Sequence, residues 1–291
     1  ELARQNYNQI ISYAEAEEMV VSTEGWITGI LLSANTRQLH MASRMRLMRS
    51  SGVDLYSYLA QQVLNQQPPA LIYFLLRTAY MDEFDAALCA EVFAPSWLPA
   101  GESWGSLIDM LFQRNLFVTP TGIEGENVRY HHLFQDFLQR RLQNERPDEV
   151  TIILRRLVEV CLQREAWEHA YLYAERLGEQ SVIVHLVETA GWQLVYSGRI
   201  LLLQEWLDKL PLPIMLTYPK LLALKGYCAI VLGNVEQGVK RLTDAEKLLK
   251  KHSNDLLLPQ VLAHRAIGYR LLGDYQQSIE DAENSLTLLD A

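Results

Sequence analysis

Three residue classes that announce a function in many chains are scarce here. Cysteine occurs three times, as Cys89, Cys161 and Cys228, far apart and without a CxxC pair, so neither a disulfide framework nor a zinc site is expected and the three are read as reduced core thiols. No apolar run approaches the roughly 18 residues of a bilayer span, and the polar opening ELARQNYNQ lacks the apolar stretch of a secretory signal. The chain is therefore expected in the cytoplasm, without a membrane partner. Positive charge is short as well: 26 basic residues face 35 acidic ones, a formal net charge of −9, which opposes direct binding to a nucleic-acid backbone. No GxxxxGK[ST] phosphate loop occurs, since GNVEQGVK has no adjacent Gly-Lys and lies in a turn between helices, so no cofactor is expected in this chain. With no HExxH and no convergent Cys/His/Asp pattern, and with Asp136 and Glu145 read as solvated helix positions, catalytic residues and metal ligands are expected to be absent. The missing initiator Met at Glu1 points to an excised fragment.

What is present is a helical chain of ordinary globular composition, 49% hydrophobic and 21% charged. Its 291 residues suffice for about two domains, at ~100–200 residues each. Helical spacing runs through Ser12–Leu32, broken at Gly25, then through Val53–Leu64 and Pro69–Thr78, with Pro68 and Pro69 as stop and restart. The helices continue from Phe84 to Phe112, interrupted around Pro95, Pro99 and Gly101. Asn115–Thr119 and Asn127–His131 are β-prone, and between them Pro120, Gly122 and Gly125 supply hairpin turn chemistry. Helix followed by hairpin reads as a winged-helix core. Helical spacing resumes with Leu133, Phe134, Phe137, Leu138 and Leu142 on one face.

Beyond the polar break QNERPDE the chain repeats itself. EAWEHAYLYA, GNVEQGVKRLTDA and GDYQQSIEDA align, with SGRILLLQEWL as a degenerate copy. The equivalent residues Ala166, Arg199, Asn234 and Asp274 are 33, 35 and 40 residues apart, the period of stacked helical hairpins. Small residues at Ala170, Gly238 and Ser278 mark where the second helix of a pair must approach the first. LLALKGYCAIVLG and VLAHRAIGYRLLG share small positions at Ala223/Ala263 and Gly226/Ala266 and a closing Leu-Gly turn.

Two stretches, STEGWITGILLSA and VRYHHLFQDFLQRRL, resemble segments of the MalT-like transcription activators, and FLLRTAYMDEFDAALC is similar to the region between them. The chain departs from that family at Ile27, where a Pro is frequent. The resemblance implies a signal-transducing ATPase parent with a nucleotide-binding module, a winged helix, a tetratricopeptide-like sensor and a C-terminal LuxR-type helix-turn-helix. The upstream ATPase module and the downstream helix-turn-helix would be partners outside this chain, ATP/ADP would belong to the parent, and the parent would self-associate.

The expected fold is mainly α: residues 1–66 a helical segment following an absent ATPase core, 67–146 a winged-helix domain after a small helical bundle, and 147–291 a tetratricopeptide-like α-superhelix. By resemblance His131 would contact the ADP phosphate in the parent, and Trp26 would lie near its adenine; the residues alone also allow a capping or packing histidine and a core tryptophan. Tyr196, Tyr227, His264 and Tyr269, with Trp206 and Tyr275, are candidates for an effector or partner surface, or else groove fillers between helices. The Arg37, Arg44, Arg46 and Arg49 cluster is read as a solvated face of a linker rather than a nucleic-acid arm. The expected function is non-enzymatic: a regulatory segment that couples a small-molecule inducer on the repeats to the parent's nucleotide switch. The alternative is a tetratricopeptide-like scaffold for a partner protein, without nucleotide.

Overall fold

A computed structural model describes residues 55–123, 125–251 and 256–290. Trp26, the expected helices over Ser12–Leu32 and the arginine cluster lie outside the described residues. Two compact units divide between Val160 and Cys161.

The first unit contains α1 (Leu55–Asn65), α2 (Pro69–Thr78), α3 (Ala86–Val92), a 3-10 turn (Pro95–Trp97), α4 (Trp104–Gln113), β1 (Val118–Thr121), β2 (Asn127–Tyr130) and α5 (His132–Glu145), and α6 (Pro147–Gln163) crosses its end. Local chemistry sets several of the starts. Pro69 opens α2 where its missing N–H costs nothing. The Asp85 carboxylate accepts the Leu88 N–H at 2.6 Å to cap α3. Ser103 and Ser106 exchange side-chain and backbone hydrogen bonds at 3.0 and 2.9 Å in a capping box on α4.

The strands pair antiparallel, Val118 opposite Tyr130 and Thr121 opposite Asn127, and Phe84 adds a backbone bridge to Val128. The first strand starts three residues later than its β-prone composition predicts. Asn115 and Phe117 have left-handed φ of 50° and 57°, which keeps extended backbone from starting before Val118, and the strand then runs through Pro120, expected in the turn, to Thr121. The second strand stops at Tyr130 because His131 is already the N-cap of α5.

Large rings fill this unit. Phe84 lies 5.3 Å from Tyr130, Phe134 lies 4.7 Å from Phe117 and 6.1 Å from Tyr130, and Phe93 lies 5.6 Å from Trp104. The buried Tyr130 hydroxyl is 2.6 Å from Thr78 Oγ1. The Gln135 and Gln139 amides donate to the Ala79 carbonyl at 3.0 and 2.7 Å, and Gln135 also donates to the Met81 carbonyl at 2.9 Å, satisfying the end of α2. Leu133, expected on the apolar face of α5, is instead 37% exposed, while Phe134, Phe137, Leu138 and Leu142 are buried.

The second unit contains α7 (Trp167–Leu177), α8 (Gln180–Tyr196), α9 (Ile200–Lys209), α10 (Leu212–Met215), α11 (Pro219–Val231), α12 (Val235–Lys251), α13 (Leu258–Leu272) and α14 (Tyr275–Leu289). Four turns repeat one geometry. Glu165, Gly198, Gly233 and Gly273 have φ of 55°, 76°, 88° and 82°. The next residue's N–H returns to the preceding helix each time, from Ala166 to Cys161, Arg199 to Leu194, Asn234 to Ala229 and Asp274 to Tyr269, at 2.8–3.0 Å. This is the Schellman closure, which favours glycine because a Cβ opposes left-handed backbone. Glu165 adopts it without that freedom.

The hairpins α11/α12 and α13/α14 pack more closely than α8/α9. A Cβ on Gly238 would lie 2.6 Å from the Gly226 carbonyl oxygen, and Ser278 Oγ donates to the Ala266 carbonyl at 2.9 Å. At the equivalent position α9 has the buried Leu203, whose bulk holds its partner away. Where α12, α13 and α14 meet, the buried Arg265 donates to Asp281 at 2.6 and 2.7 Å, to Thr243 Oγ1 at 3.2 Å, and to Glu246. One guanidinium thus serves carboxylates from two neighbouring helices, with nearly all its donors satisfied.

Candidate functional site

The first helix of each later pair sends one ring to a common face. Trp192 from α8, Tyr227 from α11 and His264 from α13 form a cluster with centroid distances of 4.7 Å (Trp192–His264), 4.2 Å (Tyr227–His264) and 5.8 Å (Trp192–Tyr227). One turn beyond Trp192, the exposed Tyr196 hydroxyl accepts a hydrogen bond from Gln260 Nε2 of α13 at 3.3 Å. Trp192 Nε1 and His264 Nδ1 are buried and have no hydrogen-bond partner among the described residues. Burial alone pushes the His264 imidazole from 6.5 down to about 4, so the ring is held neutral. One turn before Trp192, desolvation holds the half-buried Glu188 above the usual carboxylate range, against the pull of Lys220 and His185. The half-buried rings offer flat surfaces on which a ligand can stack, while the two unpaired nitrogens lie buried beneath them.

Of the four residues expected on such a surface, three converge: Tyr196, Tyr227 and His264. Tyr269 does not join them; its ring lies 5.8 Å from the Arg265 guanidinium. Trp206 is buried and stacked on Tyr171 at 4.2 Å and 4°, a contact between α7 and α9, and Tyr275 is exposed. Sequence reasoning passed over Trp192 and Gln260. Trp192 carried a usable signal, because it stands six residues before Gly198 as Tyr227 stands six before Gly233.

In the first unit, His131 sits between β2 and α5. Its N–H donates to the Phe117 carbonyl at 2.8 Å, its carbonyl accepts from the Gln135 N–H at 3.0 Å, and its ring stacks on His132 at 4.6 Å. The side chain does not cap α5. Burial first, and the neighbouring His132 second, push its imidazole below the ordinary range. Arg129, two residues earlier, pairs with Glu83.

A G-x-S-x-G spacing, expected to be absent, is present at Gly101-Glu-Ser-Trp-Gly105. Ser103 is not poised there as a nucleophile, because its hydroxyl is the N-cap of α4 and follows a loop rather than a strand. All three cysteines are free thiols; burial pushes Cys228 up to about 12 and raises Cys89 further. Among the described residues no group of three or more His, Cys, Asp or Glu could hold a metal ion, and no helix is long and apolar enough to cross a membrane.

Residues 60–150 match the MalT winged helix domain. The HTH-type transcriptional regulator MalT of Vibrio parahaemolyticus is 26% identical over 98% of this chain and 32% of its own length. The regulator of the same name from Cronobacter sakazakii is 27% identical over 89% of this chain and 28% of its own length. The chain thus spans about a third of the length of the curated relatives it matches. The crystal structure of a signal transduction ATPase with numerous domains, carrying a tetratricopeptide repeat sensor, from Pyrococcus horikoshii has a TM-score of 0.63 at 14% identity. It covers 99% of this chain and 40% of that one, a likeness of fold. Residues 60–150 thus resemble the winged helix of MalT, and the chain as a whole resembles part of the MalT regulators, with a fold that continues as a tetratricopeptide-like helical array.

Proposed function

We propose that this chain is the sensing and coupling segment of a cytoplasmic transcription regulator, and that it is not itself an enzyme. The face shared by α8, α11 and α13 takes up a small-molecule inducer or a partner protein. The winged helix carries the occupied or empty state of that face to a nucleotide-binding module of the parent, and so to self-association and to a helix-turn-helix. An inducer acts only through tighter binding to the open form than to the closed one, as any ligand-driven population shift requires.

The observation that supports this reading best is the convergence of Trp192, Tyr227 and His264 from three successive repeats, with two polar atoms left without partners. In the resting parent, His131 donates a hydrogen bond to a phosphate oxygen of ADP; its place between β2 and α5, beside a second imidazole, is compatible with that role.

The test is His131→Ala in the full-length regulator, read by transcription from a reporter promoter without inducer. Raised inducer-independent activity is expected. Activity that stays fully inducer-dependent, in protein of parental stability, removes the phosphate role and leaves His131 as a packing residue.

A further inference from the structure

Helical-repeat arrays are built from nearest-neighbour contacts, each hairpin resting on the one before it. The second unit follows that rule in its backbone, where α8 packs on α11 and α11 on α13. Among the described residues its side chains break the rule at one place. Trp192 of α8 reaches past α11 to stack on His264 of α13 at 4.7 Å and 29°, and Tyr196 of α8 reaches Gln260 of α13 at 3.3 Å. Tyr227 of α11 fills the space between, 4.2 Å from His264. These are two contacts between first helices of non-adjacent hairpins, one turn apart along both α8 and α13.

We propose that Trp192, Tyr196, Tyr227, Gln260 and His264 form a clasp that ties α8 to α13 and holds the array in a closed curvature, from which the shared face opens when the clasp lets go. The clasp is incompletely satisfied. Its rings attract through stacking, while Trp192 Nε1 and His264 Nδ1 lie buried without hydrogen-bond partners among the described residues, which makes closure costlier than for an all-carbon contact. Its edge is also open to water: Tyr196 is 71% exposed, so the Tyr196–Gln260 bond competes with solvent. Among the described residues nothing comparable weakens the close hairpins, where Gly226 meets Gly238 and Arg265 binds Asp281. The weak link therefore lies between hairpins, and the array should open as folded pairs.

The clasp needs no ligand and is measured on the chain alone, so its failure and that of the proposed inducer surface are told apart. Spin labels on the exposed His185 of α8 and Gln276 of α14, in a Cys161→Ser background, report the span between the two ends of the clasped region. The parent sequence should show one short, narrow distance distribution. Trp192→Ala should add a longer component, with amide exchange inside α12 and α14 unchanged. Trp192→Phe keeps a ring and removes the unpaired N–H, and should stay closed. If Trp192→Ala melts α8 instead, Tyr196→Ala with Gln260→Ala decides, since Tyr196 stands on the exposed edge; it should broaden the distribution towards longer distances. A distribution that stays as in the parent with Trp192→Ala folded, or in the edge double variant, overturns the clasp. So does opening by Trp192→Phe as large as that by Trp192→Ala.

Discussion

In the winged helix, helices and hairpin are joined by large rings: Phe74, Phe84, Phe93, Trp104, Phe117, Tyr130 and Phe134 follow one another at centroid distances of 4.7–6.1 Å. In the repeat array the closest joints have almost no side chain, as where Gly226 meets Gly238 and where a Cβ on Gly268 would strike Val239 and Ile230. The contrast follows from topology. A winged helix packs dissimilar elements around one centre, which needs volume filled, whereas stacked hairpins gain most when like helices lie close along their length. The first arrangement resists change as a unit. The second is expected to yield at one joint while its other pairs stay folded.

The largest expected effect is in the ring-filled unit. Phe134→Ala, at a fully buried position touching Phe117 and Tyr130, should cost about 3–5 kcal/mol and lower the denaturation midpoint of the first unit as a whole. A loss confined to α5, seen by site-resolved exchange, would show that this unit is not cooperative.

A smaller effect of opposite sign is expected at the first repeat turn. Glu165 holds a left-handed conformation where the later turns have glycine, so Glu165→Gly should stabilise by about 1 kcal/mol in urea denaturation. Destabilisation would mean that its side chain matters more than its backbone.

The smallest is a pH effect at His264. Its folded-state pKa of about 4 lies below the ordinary 6.5, so closure favours the neutral ring. That contribution is fully present above pH 6.5 and is lost progressively as the pH falls from 6.5 towards 4. The difference in melting temperature between the parent and His264→Gln should therefore shrink or reverse over that window. A difference constant with pH would place His264 in contact with water.

Much of this architecture is legible in the sequence, for local reasons. Turn glycines and the small residues Gly238 and Ser278 each express a requirement met within a few residues, and the structure places them at turns and close contacts, whereas Pro120, expected in the hairpin turn, stands in β1 opposite Val128. What escapes reading is long-range or uncoded. The start of β1 depends on left-handed backbone at Asn115, a residue type that tolerates it, and at Phe117, one that does not announce it. Arg265 stands in an apolar helix and is explained only by Asp281 and Glu246 on neighbouring helices. His264 could be named as a surface candidate, but its partner Trp192 is 72 residues away on a non-adjacent hairpin.

The contrast between the two units is tested most directly by residue-resolved amide exchange on the whole chain carrying Gly238→Leu or Ser278→Leu. Each substitution overpacks one joint of the array, at a cost of about 1–3 kcal/mol. Gly238→Leu should lose protection from about Leu221 onward, through α11 to α14, and Ser278→Leu only from about Val261 onward, in α13 and α14. The helices α2 to α5 of the winged helix should exchange as in the parent in both. Loss of protection in the winged helix, or parental exchange throughout α11–α14 in both variants, would contradict an array held together by small-residue joints between neighbouring helices.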